Sequence, residues 1–263
     1  MKASPHFDVT FLGTGTSHGV PMIGCSCDVC RSVDLRDKRL RTSIFIQTPT
    51  TSLVVDTPPD FRTQCLREGL TRADAVIFTH SHTDHTSGFD DLRIFCEVNG
   101  GSLPVYASRE VMENLQERFG FAFGGHSQVP NYLNAVPHIF HGPFEIGDIQ
   151  ITPVALPHGR FDTSGFVFSW QGRKRLAYFT DCSAVPETAA EAATGAEVLV
   201  LDTLRWRPHP THLTVDEAVV IAKRIATKRT FLTHLSHDLG HVGTEAKLPD
   251  DVRLAYDGLR LAL

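Results

Sequence analysis

No apolar run in the chain approaches the ~20 residues needed to cross a bilayer. The opening Met1-Lys2-Ala3-Ser4-Pro5-His6 lacks the charged-then-apolar order of an export signal, so a soluble, cytoplasmic protein without a membrane partner is expected. No short-period repeat, low-complexity tract or linker-like stretch divides the 263 residues, and one compact domain over residues 1–263 is the expectation. An extended basic arm is also missing. With a formal net charge of −5, the chain lacks the excess of cations that broad binding to a phosphate backbone requires, and no stable nucleic-acid complex is expected. Gly13 and Gly15 lack the helix-opening spacing of a dinucleotide fingerprint. Cysteine is sparse: of six, three fall inside Cys25-Ser26-Cys27-Asp28-Val29-Cys30, which suits a thiolate metal cluster better than a disulfide framework. Cys65, Cys96 and Cys182 lie in apolar or mixed contexts and are expected to be buried.

What is present is an alternation of short apolar runs and amphipathic stretches, the pattern of an α/β fold. Strands are expected at Phe7–Leu12, Ser43–Gln47, Ser52–Val55, Ala75–Phe78, Pro104–Ala107, Ile149–Val154, Gly165–Trp170, Arg175–Phe179, Val198–Leu201 and Thr230–Leu232. Helices are expected at Phe61–Glu68, Gly88–Val98, Ser108–Arg118, Pro186–Ala193 and Val215–Ala226. The last has Thr214 as N-cap, Glu217 to complete a capping box, and one apolar face. Residues 119–144, rich in glycine, proline, histidine and aromatics, have no clean period and read as a long loop or insertion over a site.

The segment Phe78-Thr79-His80-Ser81-His82-Thr83-Asp84-His85 ends an apolar run and packs three imidazoles and a carboxylate into six residues. These are ligand types for zinc or manganese. Alternate residues of an extended chain point the same way, so His80 and His82 can grip one ion while Asp84 and His85 face a second. Two ions need more donors. His158, Asp181 and His234 each lie at or just beyond the end of a predicted strand, and an open sheet gathers such residues along one edge.

In order and approximate spacing, His80, His82, Asp84, His85, His158, Asp181 and His234 resemble the metallo-β-lactamase superfamily, and Asp56 after Leu53-Val54-Val55 matches an earlier aspartate of that pattern. The resemblance implies a four-layer αββα sandwich of two similar halves. It implies one catalytic divalent ion on His80, His82 and His158, a second on Asp84, His85 and His234, and Asp181 between them. The adjacent Cys182 is the point of doubt in that set, because some members use a cysteine on the second ion. The run Gly13-Thr14-Gly15-Thr16-Ser17-His18-Gly19-Val20-Pro21 followed by the three cysteines is similar to the PhnP-type cyclic phosphodiesterases. That resemblance implies a structural zinc on Cys25, Cys27, Cys30 and His237, which is a closed tetrahedral donor set.

The implied activity is hydrolysis of a small cyclic or nucleotide-like phosphodiester by metal-bound hydroxide, with Asp84 orienting the nucleophile. His212 is the candidate general acid and His209 the second choice, both within Arg207-Pro208-His209-Pro210-Thr211-His212-Leu213-Thr214. Arg205, Trp206 and Arg207 read either as phosphate and base contacts or as packing. Phe119, Phe121, Phe123 and Tyr132 read either as a substrate rim or as pins to the core, and His18 could approach the site. Alternatives are a lactone or thioester hydrolase on the same metals, and a non-catalytic cofactor-pathway protein resembling those of pyrroloquinoline quinone biosynthesis. Relatives of this type are often dimers, and a homodimer is carried over as an expectation.

Overall fold

The computed structural model describes residues 6–124 and 132–263. In chain order its strands are β1 (Asp8–Gly13), β2 (Ser43–Gln47), β3 (Ser52–Val55), β4 (Ala75–Ile77), β5 (Leu103–Ala107), β6 (Ala135–Ile139), β7 (Phe144–Ile146), β8 (Ile149–His158), β9 (Phe161–Trp170), β10 (Arg173–Phe179), β11 (Val198–Asp202), β12 (Arg229–Thr233), β13 (Val252–Leu254) and β14 (Arg260–Ala262). They form two sheets, ordered β14-β1-β2-β3-β4-β5-β6 and β13-β12-β11-β10-β9-β8-β7. The principal helices are α1 (Phe61–Glu68), α2 (Arg93–Val98), α3 (Arg109–Arg118), α4 (Glu187–Ala193) and α5 (Val215–Ile225).

The period-2 alternation of side chains explains the layering. In β11, Val198 and Val200 enter the core between the sheets, while Leu199 and Leu201 pack beneath α4 and α5 with Ala189, Ala218, Ala222 and Ile225. In β3, Leu53 and Val55 face the other sheet, and Val54 faces Phe61, Phe95 and Leu115 of the helices on the far side. Strands buried on both faces read as continuous apolar runs. The result is the expected αββα sandwich. Among the described residues no helix is long and apolar enough to cross a membrane.

Several expectations need correction. Residues 119–144 are not one loop: Gly120–Ala122 form a helical turn, Ala135–Ile139 pair in parallel with β5, and Phe144 starts β7; 125–131 lie outside the described residues. The edge strand β6 escaped detection because its middle residues are exposed and carry no apolar alternation. The β8–β9 hairpin is longer than expected, so His158 ends a strand instead of following one. Pro153 and Pro157 are accommodated within β8 because β7 pairs only with Ile149–Ile151, leaving the rest of that edge open, where a missing N–H is tolerated. The expected helix at Gly88–Val98 is a 3-10 turn over Phe89–Leu92 followed by α2.

Candidate metal centre

β3, β4, β8, β10, β11 and β12 all run in one direction within their sheets, and their C-terminal ends bring the polar residues of the chain to one edge. Three of these positions are left-handed, with φ of 65° at Asp56, 53° at Asp181 and 63° at His234. Such backbone is uncommon outside glycine but is most accessible to Asp, Asn and His, and it turns each side chain sharply off its strand into the site.

Two donor groups result. His80, His82 and His158 present ring nitrogens within 4.8 Å of one another, and Asp84, His85, Asp181 and His234 do the same. Asp181 lies between the groups: Oδ1 is 3.3 Å from His85 Nε2, and Oδ2 is 3.3 Å from His234 Nε2 and 3.8 Å from His80 Nε2. Asp84 Oδ2 is 3.6 Å from His85 Nε2 and 3.8 Å from His234 Nε2.

Hydrogen bonds behind the rings set which nitrogen faces inward. Asp56 accepts the Thr79 N–H at 2.9 Å and the Thr79 hydroxyl at 2.8 Å, and its Oδ2 lies 2.8 Å from His85 Nδ1. With its proton given to Asp56, the Thr79 hydroxyl oxygen accepts from His80 Nδ1 at 2.9 Å. The Thr211 carbonyl accepts from His158 Nδ1 at 2.9 Å. Each of these rings therefore turns Nε2 to the centre, the arrangement of metal-ligating histidines. Burial keeps His80, His82 and His158 below the usual imidazole pKa, so they offer lone pairs. Burial opposes ionisation of Asp84 and Asp181, but the imidazoles of His85 and His234 hold both carboxyls low.

The Nε2 atoms of His80, His85 and His234 are buried and have no hydrogen-bond partner. Orphaned buried nitrogens converging on two carboxylates are costly without an ion. The donor set therefore fits divalent metals.

The cysteines meet at a separate point. Cys25 Sγ and Cys27 Sγ lie 3.3 and 3.4 Å from His237 Nδ1, with Cys30 completing the group. Bonds of about 2.3 Å to sulfur and about 2.0 Å to nitrogen in a tetrahedron would separate such donors by roughly 3.5 Å. The N–H of Cys30, aided by His237, lowers the Cys27 thiol to about 6, whereas burial pushes Cys30 up to about 11. The loop holding His237 is also clamped by the buried Arg39, which donates to the carbonyls of Ser236 at 2.9 Å and Leu239 at 2.6 Å.

His212 lies beside the donors, stacked on His234 with centroids 4.5 Å apart and edge-on to His158 at 4.8 Å. Asp202, fully buried, accepts from His212 Nδ1 at 3.0 Å and from Leu213 N at 2.9 Å, and its Oδ1 also takes the Asp181 N–H at 3.2 Å. Burial works against the imidazolium, but Asp202 outweighs it and holds His212 up at about 9. The loop is anchored at its far side by the capping box of Thr214 and Glu217. Asp202 is absent from the residues read off the sequence, although the strand-end reasoning that found Asp181 applies equally to it.

The remaining candidates separate cleanly. Cys182 is buried in the core under α4 and α5 and belongs to neither donor group. His209 and His18 line a neighbouring cavity with Arg205 and Arg207, not the cavity holding Asp84 and Asp181. Phe119 and Phe123 stack on Phe89, pinning that segment to the core. Trp206 packs against the apolar layer under α5.

The sequence pattern of the beta-lactamase superfamily domain matches residues 51–235. The chain belongs to the metallo-β-lactamase superfamily. It is similar to a solved structure described as a new diphosphatase from the PhnP family, with 39% identity, a TM-score of 0.89 and 98% of each chain covered. A Zn(2+)-bound PqqB from Methylobacterium extorquens shares the fold at a TM-score of 0.80 and 19% identity, covering 97% of this chain and 100% of that one. An octanoyltransferase of Porphyromonas gingivalis (strain W83) is 35% identical over 252 residues, 94% of this chain but 50% of the relative. The chain thus spans about half the length of that curated protein. Superfamily membership and the donor set together fit the chemistry of a metal-dependent hydrolase.

Proposed function

We propose that the chain hydrolyses a phosphoester linkage, a phosphodiester or diphosphate of a small cyclic or nucleotide-like molecule, using two divalent ions. The observation that carries this reading is Asp181, whose two oxygens face the two donor groups at once, with His212 at the edge of the same cavity. The similarity at 39% identity to a PhnP-family diphosphatase supports a phosphoryl over an acyl substrate.

His80, His82 and His158 would hold one ion, Asp84, His85 and His234 the other, and Asp181 both. Ions so held supply a water acidified toward neutral pH and positive charge opposite the phosphoryl oxygens. Asp84, the more exposed of the two carboxylates, would accept a hydrogen bond from the attacking water and orient it. His212, its Nδ1 committed to Asp202, presents Nε2 to the cavity and gives its proton to the departing alkoxide or phosphate. The cysteine group and His237 would hold a third, structural zinc that ties the N-terminal loop to the loop following His234.

A second reading, hydrolysis of an acyl ester or thioester, is favoured only by the octanoyltransferase relative, half of which lies outside the match. The test is to compare bis(p-nitrophenyl) phosphate, a 2′,3′-cyclic nucleotide, a nucleotide diphosphate ester, an acyl lactone and a thioester with metal-loaded protein. Turnover of the phosphoryl compounds is expected; activity confined to the acyl substrates contradicts the proposal.

A further inference from the structure

The β8–β9 hairpin turns at the mouth of the metal centre through Gly159 and Arg160, between the paired residues His158 and Phe161. The turn is held in place. Gly159 has φ +70°, a Cβ there would lie 2.9 Å from Thr211 Cγ2, and the Thr211 carbonyl bonds His158 Nδ1.

Phe161 leans on two of the donor imidazoles, with its centroid 5.4 Å from His82 at 74° and 6.5 Å from His158 at 54°. These are its aromatic partners among the described residues, and 45% of the residue stays exposed. A single exposed aromatic needs no explanation by itself. Here its position does. Phe161 and Arg160 line both the cavity of about 370 Å³ that contains Asp84, Asp181 and His234 and a groove of about 570 Å³ on the other side of the hairpin. The groove is floored by Phe140 and edged by polar groups such as Ser108 and Asp162. Arg160 makes no hydrogen bond or ion pair within the described residues, although Glu110 and Asp162 line the groove with it.

A molecule whose phosphoryl group lies over the donors must pass Phe161 to reach the groove. The ring already leans on two imidazoles, carries few rotatable bonds to order on binding, and stands beside a guanidinium with no ion pair among the described residues. That chemistry suits a planar heterocycle joined by a short linker to an anionic centre. We propose that Phe161, flanked by Arg160, is the stacking subsite for the base of a nucleotide substrate. This rests on the phosphoester reading above and narrows it to nucleoside phosphoesters.

The p-nitrophenyl ester of thymidine 5′-phosphate and p-nitrophenyl methyl phosphate release the same group and differ only in what the subsite can hold. Base–aromatic stacking is worth ~1–3 kcal/mol, so Phe161→Leu is expected to cost the thymidine ester about tenfold more in kcat/KM than the methyl ester, chiefly through KM. Phe161→Trp should restore the preference. Equal losses on the two esters would overturn the subsite. Binding of thymidine 5′-monophosphate to the metal-loaded protein, measured by calorimetry, supplies an arm independent of turnover: about tenfold weaker affinity in Phe161→Leu supports the subsite, and unchanged affinity overturns it. Failure of the wild-type protein to hydrolyse either ester would count against the phosphoester reading alone.

Discussion

Asp202 Oδ1 lies 3.0 Å from His212 Nδ1 while Oδ2 accepts the Leu213 N–H at 2.9 Å, so one buried carboxylate fixes both the ring and the backbone of its loop. A residue held this way delivers a proton from Nε2 without having to reorient. His212→Asn should therefore slow release of an alkoxide by roughly 10²–10³-fold, within the range of a lost general acid, and release of p-nitrophenolate far less. Asp202→Asn should show the same dependence on leaving group with a smaller loss. Equal losses for both leaving groups would remove His212 from the proton-transfer role.

Asp56 plays the corresponding part behind His85. Its carboxylate takes Thr79 N, Thr79 Oγ1 and His85 Nδ1, and it is buried completely. Loss of such an outer partner typically costs about 10–100-fold in metal affinity. Titration of the metal-free protein with Mn or Zn should show Asp56→Asn weakening one catalytic ion by that factor, with the cysteine-bound zinc retained.

The cysteine group should behave as a staple and not as a catalyst. Cys27→Ser is expected to release about one zinc per chain and lower the melting temperature, because the thiolate set bridges the N-terminal loop to His237. Turnover should fall through disorder around His234, and added zinc should restore little of it. Unchanged zinc content in the variant would contradict the assignment.

Stability offers a check that involves no metal. Ala226 closes α5 in a left-handed conformation, φ 56° and ψ 42°, where a Cβ is strained and glycine is preferred. Ala226→Gly should stabilise the fold by about 0.5–1 kcal/mol, seen as a shift of the denaturation midpoint with an unchanged slope.

The central strands were legible because both faces are buried: Leu53-Val54-Val55 and Val198-Leu199-Val200-Leu201 are apolar at every position. The strands that escaped, β6, β7, β13 and β14, are the edge strands of the two sheets, and three of them are three residues long. Their pairing is set by neighbours distant in sequence, and such short segments carry no period of their own. The same contrast holds at the site. Donors clustered in His80–His85, or placed after a strong strand, could be read from spacing. Asp202 stands alone after the expected strand Val198–Leu201, and its role emerges only when His212, ten residues on, folds back against it. Phe161 gave no signal because the hairpin was expected to stop short of it.

The most direct test of the account is phosphodiester turnover measured as ions are added to metal-depleted protein whose cysteine group has first been supplied with one equivalent of zinc. The account predicts that hydrolysis of bis(p-nitrophenyl) phosphate rises with loading and saturates at about two further ions per chain, and that Asp181→Asn abolishes it at full loading. Saturation at two further ions with no phosphoryl turnover, while a lactone or thioester is cleaved, would contradict it.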